Sequence, residues 1–404
     1  MSVQVFQTPV AQTEPLPQHP DTNPLSVLNE LDRLHFGAAY QVARAEVGPR
    51  ADAMERSGAI APELIRLLAE YGFFGVQAPE QMGGSGMGLF HTALTVEALA
   101  RFDASVALLV DVHNTLLVGA LNTFGNRRQR FHYLPQLASG RLLGAFSLSE
   151  AHAGSDAFAL STRAGRVPEG HRLNGAKAWV SGAREAGLFL VFARVAPESG
   201  EQREGITAFL VRRDNPGLTV GPPEKKLGLL ASSTCPLFLK DCLVRTEDRL
   251  GEVGEGRRLA MALLNEGRIG IAAQLVGIAQ AALELAVDYA RKRKAFGKPI
   301  GRNQAVAFSL AEAAREVETA RLLTWNAARL ADTGGETRYA AAMAKLTAQR
   351  AAEAVTSLAI EVHGGAGYTT DCPAGRLWRD AKAGTIYEGA ANMQLLTIAR
   401  GLDL

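Results

Sequence analysis

Apolar residues recur at helical spacing from Leu25 to about Leu142. Over Pro62 to Tyr71, the residues Leu64, Leu67, Leu68 and Tyr71 fall on one face, and Pro62 suits a first turn. Gly72 and a short apolar connector, Phe73 to Val76, follow. The run Gly83-Gly84-Ser85-Gly86-Met87-Gly88 then interrupts the pattern. It follows no long strand, and Leu89 stands where the last glycine of a phosphate-binding register belongs, so it predicts a plain loop. Helical spacing resumes from His91 to Leu121 and from Arg127 to Leu137.

Near Leu143 the period changes from 3.6 to 2. Phe189 to Ala193, Ile206 to Val211, Leu237 to Leu239 and Cys242 to Val244 read as short strands, punctuated by glycines and by Pro222-Pro223. Strands at this spacing with no helices between them indicate an antiparallel barrel or sandwich, and argue against a nicotinamide-binding βαβ unit. After Gly254-Glu255-Gly256 the pattern is helical again: Arg257 to Lys294, Gln304 to Thr333, Thr337 to His363 and Thr385 to Arg400, joined by Gly-containing breaks. The expected fold class is multi-domain α+β. A helical domain spans 25–143, an antiparallel β-barrel or sandwich 144–252, and a C-terminal four-helix bundle 253–404.

Composition refines this picture in a few places. The chain has 404 residues, too many for one core. Its net charge of +2 gives no electrostatic reason to expect nucleic acid or an anionic membrane as partner. Residues 1–24 read as a disordered leader, since Met1 to Ser26 carries five Pro and no Lys or Arg and lacks an apolar signal-peptide core. No run of about 18 uncharged apolar residues appears, so no membrane span is expected. Cys235, Cys242 and Cys372 are odd in number and unpaired in spacing, which fits thiols in a reducing cytoplasm. The eight His residues show no ligand spacing, so no metal site is expected.

The candidate chemistry lies in Asp380 to Gln394. There Glu388 sits between Ile386-Tyr387 and Gly389. A carboxylate in apolar company loses solvation of its charged form, so its pKa rises and it becomes a general base. The alternative is a surface Glu at a helix start, favoured by the helix dipole.

Four further segments accompany it: Ala145-Phe146-Ser147-Leu148-Ser149-Glu150-Ala151-His152-Ala153-Gly154-Ser155-Asp156; Trp179-Val180-Ser181-Gly182; Tyr289 to Ile300 with Gln304; and Glu361-Val362-His363-Gly364-Gly365-Ala366-Gly367-Tyr368. In this order, with Tyr387-Glu388-Gly389, they resemble the acyl-CoA dehydrogenase family from about Leu25 to the C-terminus. The run Gly267-Arg268-Ile269-Gly270-Ile271-Ala272 looks most like short-chain, butyryl-type bacterial members.

The resemblance implies FAD as cofactor. Phe146, Leu148, Ser149, Ser155, Trp179, Val180 and Ser181 would line the flavin ring, with Ala390 and Asn392 nearby. Arg293, Phe296, Gln304, Glu361, Val362, Gly364 and Gly365 would reach the pyrophosphate and adenine end across a subunit contact, so a homo-oligomer, a dimer of dimers, is implied. Ser155, Asn265, Arg268 and Gly389 would line the acyl-CoA site. Glu388 would take the α proton of a thioester while the β hydrogen leaves as hydride, and an electron-transferring flavoprotein would reoxidise the flavin. Some relatives carry the base on the first bundle helix just before the arginine; that position is Gly267 here, which leaves the role to Glu388.

The chain departs from the family pattern at Ala151 (usually Pro), Glu361 (usually Gln), Ala390 (usually Thr) and Asn265 (usually Asp). Two other readings stay open. One is an oxygen-reactive flavoenzyme of the same fold. The other is a flavin-retaining binding protein using Arg291 to Lys294 on nucleic acid.

Overall fold

The computed structural model describes residues 28–196 and 205–403, so the proposed leader lies outside the described residues. The first part is helical: α1 (Glu30–Val42), α2 (Ala51–Ser57), α3 (Pro62–Glu70), α4 (Leu89–Ala100), α5 (Ala104–Asp111), α6 (Gly119–Phe124) and α7 (Arg127–Ala138). Capping boxes open α1 (Asn29 with Asp32) and α7 (Asn126 with Gln129). In α3, Leu64 and Leu68 are buried, but Tyr71 is 40% exposed. It lies past the last turn, where Gly72 at φ 77° swings the chain away.

The single helix expected from His91 to Leu121 is two. The Asp103 carboxylate accepts from the Ser105 and Val106 N–H groups and starts α5 afresh. A wide π-helical stretch, Val112–Val118, then leads into α6. Gly83 to Gly88 forms a loop, held so tightly that a Cβ on Gly84 would lie 2.1 Å from the Ala78 carbonyl oxygen.

The central domain is a sheet of β1 (Gly144–Ser147), β2 (Arg163–Val167), β3 (Gly170–Ser181), β4 (Leu188–Val195), β5 (Gly205–Arg212), β6 (Leu218–Val220), β7 (Thr234–Arg245) and β8 (Arg249–Leu250). Its order is β6-β7-β3-β2-β4-β5-β8, with β1 beside β4. The sheet is mixed, not antiparallel throughout. β1 and β2 both run parallel to β4, end to end along one edge: Gly144 to Ser147 faces Leu188 to Val191, and Arg163-Ala164 faces Arg194-Val195. Neither strand reaches β4 through a hairpin, so no turn enforces an antiparallel pairing. β3 is interrupted between Lys177 and Val180, and Trp179 adopts φ 61° in that bulge.

The C-terminal part holds α8 (Gly256–Lys292), a small hairpin of β9 (Lys294–Ala295) and β10 (Lys298–Pro299), α9 (Gln304–Asp332), α10 (Arg338–His363), α11 (Pro373–Ala383) and α12 (Ala391–Arg400). α10 packs on α8, α9, α11 and α12, while α4 packs on α8 and α9, so the first domain shares the bundle's core. Glu97 of α4 ties them, accepting from Arg321 Nε at 2.7 Å and Trp325 Nε1 at 3.0 Å. The last expected helix, Thr385 to Arg400, begins only at Ala391. Glu388 (φ 49°) and Gly389 (φ 87°) are left-handed and cannot continue a right-handed helix.

Ala104–Phe124 and Gly256–Lys292 are long and apolar enough to cross a bilayer. Of their most apolar windows 100% and 83% are buried inside the protein, as core helices require.

Candidate active site

The short connection from Gly384 to Ala390, between α11 and α12, carries Glu388. A left-handed non-glycine residue costs roughly 1–2 kcal/mol and persists only where its surroundings hold it. Those surroundings are specific. Lys345 of α10 donates to the carbonyls of Gly384 (3.0 Å), Tyr387 (2.7 Å) and Gly389 (2.8 Å). Gln394 Nε2 donates to the Gly389 carbonyl at 2.8 Å. The Tyr387 hydroxyl donates to Gln274 Oε1 of α8, and Gln274 Nε2 donates in turn to the Ala104 carbonyl at 2.6 Å. Gly389 is glycine for space as well as for φ: a Cβ there would lie 2.6 Å from Gln394 Nε2.

Glu388 Oε2 is buried and has no hydrogen-bond partner. Burial raises the Glu388 carboxyl above its ordinary value, while Lys345 and Arg268 pull it back. The facing wall is α8, where Gly267 makes room for the acid. A Cβ on Gly267 would sit 3.1 Å from Glu388 Oε2 and 3.2 Å from Leu116 Cδ2. One turn on, a Cβ on Gly270 would strike Asp111 Oδ1 at 1.8 Å. Asp111 is itself fully buried, and burial foremost, with Glu388 beside it, holds its carboxyl well above the usual range. Arg268 Nη1 donates to Asn265 Oδ1 at 2.9 Å, and its Nε, buried, has no partner. Glu388, Gly389, Arg268 and Asn265 therefore gather around one spot, with a carboxylate and a guanidinium N–H free for a ligand.

The segment from Phe146 to Asp156 is fixed by Glu150. Its carboxylate accepts from the backbone N–H and hydroxyl of Ser161 (2.7 and 2.6 Å) and of Thr162 (3.0 and 2.5 Å), and from Lys177 Nζ at 2.8 Å. Burial works to raise the Glu150 carboxyl, but Lys177 and these hydroxyls outweigh it and bring it down to about 2. Phe146 and Ser149 are partly buried, Ser155 is exposed, and Leu148 and Val180 are turned into the cores. The Trp179 ring is 61% exposed on the β3 bulge. Ser181 and Gly182 line a cleft with Leu109 and Val112 of the helical domain.

Other residues lie elsewhere. Ala390 is the N-cap of α12, and Asn392 is exposed in its first turn. Arg293, Phe296 and Gln304 are exposed around the β9–β10 hairpin, and Glu361, Gly364 and Gly365 are exposed at the end of α10, with Val362 partly buried. Tyr289 and His363 stack with ring centroids 4.2 Å apart, which places both groups at one end of the bundle. At 1.5 Å per residue along α10, that end is about 27 Å from Lys345 and the Glu388 loop.

Lys345, Gln274, Gln394 and Asp111 carry the site's polar scaffold, and sequence reasoning assigned none of them a role. A signal existed for Lys345. It interrupts an alanine stripe at helical spacing, Ala341, Ala344, Ala348 and Ala352, that marks the buried face of α10.

A buried, unpartnered acid on a left-handed turn within the helical bundle is the arrangement that general-base chemistry requires. The chain belongs to the acyl-CoA dehydrogenase family. Residues 32–141, 145–242 and 254–402 match that family's N-terminal, middle and C-terminal domains. A probable short/branched chain specific acyl-CoA dehydrogenase of Dictyostelium discoideum is 42% identical over 93% of this chain and 91% of its own length. The structure of butyryl-CoA dehydrogenase from Megasphaera elsdenii superposes with a TM-score of 0.90 at 35% identity, covering 93% of this chain and 99% of that one. A glutaryl-CoA dehydrogenase from Mycobacterium smegmatis, solved in complex with FADH2, is 27% identical with a TM-score of 0.88 over 94% and 96%. The chain is thus an oxidoreductase whose cofactor is FAD. Its residues suit that group: a buried Ser147 hydroxyl with no partner, an exposed Trp179 ring on a left-handed bulge, and the Ser181-Gly182 cleft beside them.

Proposed function

We propose that the protein catalyses α,β-dehydrogenation of short- or branched-chain acyl-CoA thioesters, with Glu388 as the base that removes the α proton and an electron-transferring flavoprotein as the acceptor of the electrons. The observation that carries this reading is the buried, unpartnered Glu388 Oε2. A carboxylate so desolvated is a far stronger base than one in water. The α carbon of a thioester is a weak acid, so the forming enolate needs hydrogen-bond donors at its carbonyl oxygen. The Glu388 backbone N–H, turned by the left-handed φ, is the protein's candidate donor. Arg268 Nε supplies positive charge at the same wall, and Ser155 and Asn265 complete the polar rim toward the thioester's carrier.

FAD, when bound, supplies the acceptor for the β hydrogen as hydride. The Trp179 ring and Ser181 would hold it in the cleft, with Phe146, Leu148, Ser149 and Val180 along its edge. The exposed group at the far end of the bundle, Arg293, Phe296 and Gln304 with Glu361 to Gly365, lies about 27 Å along α10 from the base. That distance supports a role in a neighbouring subunit's site and hence a homo-oligomer.

Anaerobic titration with acyl-CoAs of graded length and branching tests the reading. The wild-type flavin band should bleach. Glu388→Gln should stay yellow, and bleaching of that variant at the wild-type rate overturns the assignment.

A further inference from the structure

We infer that Lys345 is a positioning residue for the base: its buried ammonium clamps the Glu388 turn and stabilises the carboxylate form. The inference rests on the reading of Glu388 as base. Lys345 is fully buried and is flanked on its own helix face by Ala341, Ala344, Ala348 and Ala352, each also fully buried. A cation in such a stripe is strongly disfavoured unless its donors are met. All three N–H donors are met, and all by main-chain carbonyls: Gly384, Tyr387 and Gly389. The Tyr387 carbonyl lies in the peptide unit that enters Glu388 and the Gly389 carbonyl in the unit that leaves Gly389, so one nitrogen holds both ends of the left-handed pair Glu388-Gly389.

The second part of the argument is charge. No carboxylate lies within ion-pair distance of Lys345 among the described residues; burial brings its ammonium down to about 7 while Glu388 works to keep it charged, so the cation is present over the acidic range in which the base protonates. Anchoring alone would be served by a neutral donor. The groups that act on Glu388 come from several elements: Lys345 on α10 and Arg268 on α8 favour its ionised form. Glu388 in turn works against ionisation of its neighbours Asp111 on α5 and Tyr387 on the loop itself. Removing Lys345 leaves Arg268 as the one cation facing the base among the described residues.

The test compares Lys345→Met, which removes charge and donors, with Lys345→Gln, which keeps two donors and loses the charge. Both are first shown to retain the visible flavin band and the wild-type circular dichroism. The readout is washout of α-deuterium from a CoA thioester with sulfur in place of the β carbon. Such a compound can lose its α proton but has no β hydride to give, so the flavin's redox chemistry drops out.

Washout requires the carboxylate and fails as pH falls through its pKa. Losing the neighbouring cation raises that pKa, so the acidic limb should move up by about one unit in both variants. Lys345→Met should also lose about 100-fold in plateau rate because the turn is no longer held, with little change in KM. Lys345→Gln should lose far less. A Lys345→Gln protein that holds flavin and shows the wild-type limb overturns the inference. Glu388→Gln in the same assay separates the two claims. If it still exchanges deuterium, the base is misassigned; if it is inert while Lys345→Gln keeps the wild-type limb, only the Lys345 inference falls.

Discussion

Gly267→Ala sets helix stability against the position of Glu388, the proposed base. Gly267 is buried in the interior of α8, where alanine is favoured over glycine by about 1 kcal/mol. The added methyl would sit 3.1 Å from Glu388 Oε2 and 3.2 Å from Leu116 Cδ2, against an ordinary contact of 3.4 Å or more. Leu116 belongs to the enclosed π-helical stretch and is only 2% exposed. The carboxylate is therefore the group that must move, by a few tenths of an ångström.

A misplacement of about 1 Å at a reacting group costs on the order of 100-fold in rate. A third of that displacement should cost about 3- to 10-fold, or roughly 1 kcal/mol of barrier. The thermal midpoint should hold or rise by a few degrees while kcat falls by that factor with KM little changed. The assay is differential scanning calorimetry beside steady-state kinetics on one preparation. A variant that is both stabilised and fully active would refute the claim that this glycine reserves the base's space.

Three further outcomes are expected. Burial pushes Asp380 up to about 7 and Asp103 up to about 6, from 3.8 in each case. Both are protonated in the fold at mildly acid pH, so their full contribution to stability is present below about 4 and is lost as pH rises through 6 to 7. Asp380→Asn keeps an acceptor for the Leu229 N–H and should flatten the fall in thermal midpoint between pH 5 and 8; an unchanged slope counts against it. Lys177→Met leaves Glu150 charged and buried without its cation, which should cost about 3–5 kcal/mol in denaturant unfolding. Adding Glu150→Gln to it should recover part of the loss. Phe296 is 96% exposed at the hairpin tip, and where the proposed homo-oligomer forms, Phe296→Asp should lower the mass seen by light scattering; an unaltered mass would remove Phe296 from the proposed subunit contact.

Long amphipathic patterns made most of the helices legible, because an apolar stripe that repeats at helical spacing over many turns fits neither a strand nor a loop. The sheet was less so. β1 and β2 find β4 across large sequence separations, and nothing in the alternation of Gly144 to Ser147 says which strand it joins or in which direction. Asp103 split one expected helix into two, since a cap inside an apolar run leaves the hydrophobic period almost untouched.

The active site shows the same division. Glu388 stood out through its neighbours, but its turn was read as helix from Thr385 onward. Only Gly389 hinted at a left-handed bend, and the carbonyls that need Lys345 are not written in side chains at all. Lysine is by default a solvated residue, and Lys345 is not singled out by sequence reasoning. The alanines at its helical neighbours carried the contrary message, that this face of α10 is closed to water. A charged residue inside such a stripe demands buried acceptors, and in a bundle core the acceptors still unmet are the carbonyls of a chain that has left its helix. The lysine and the broken helix at Glu388 are thus two halves of one constraint: α12 can start late because α10 supplies the donors that the missing turn would have needed.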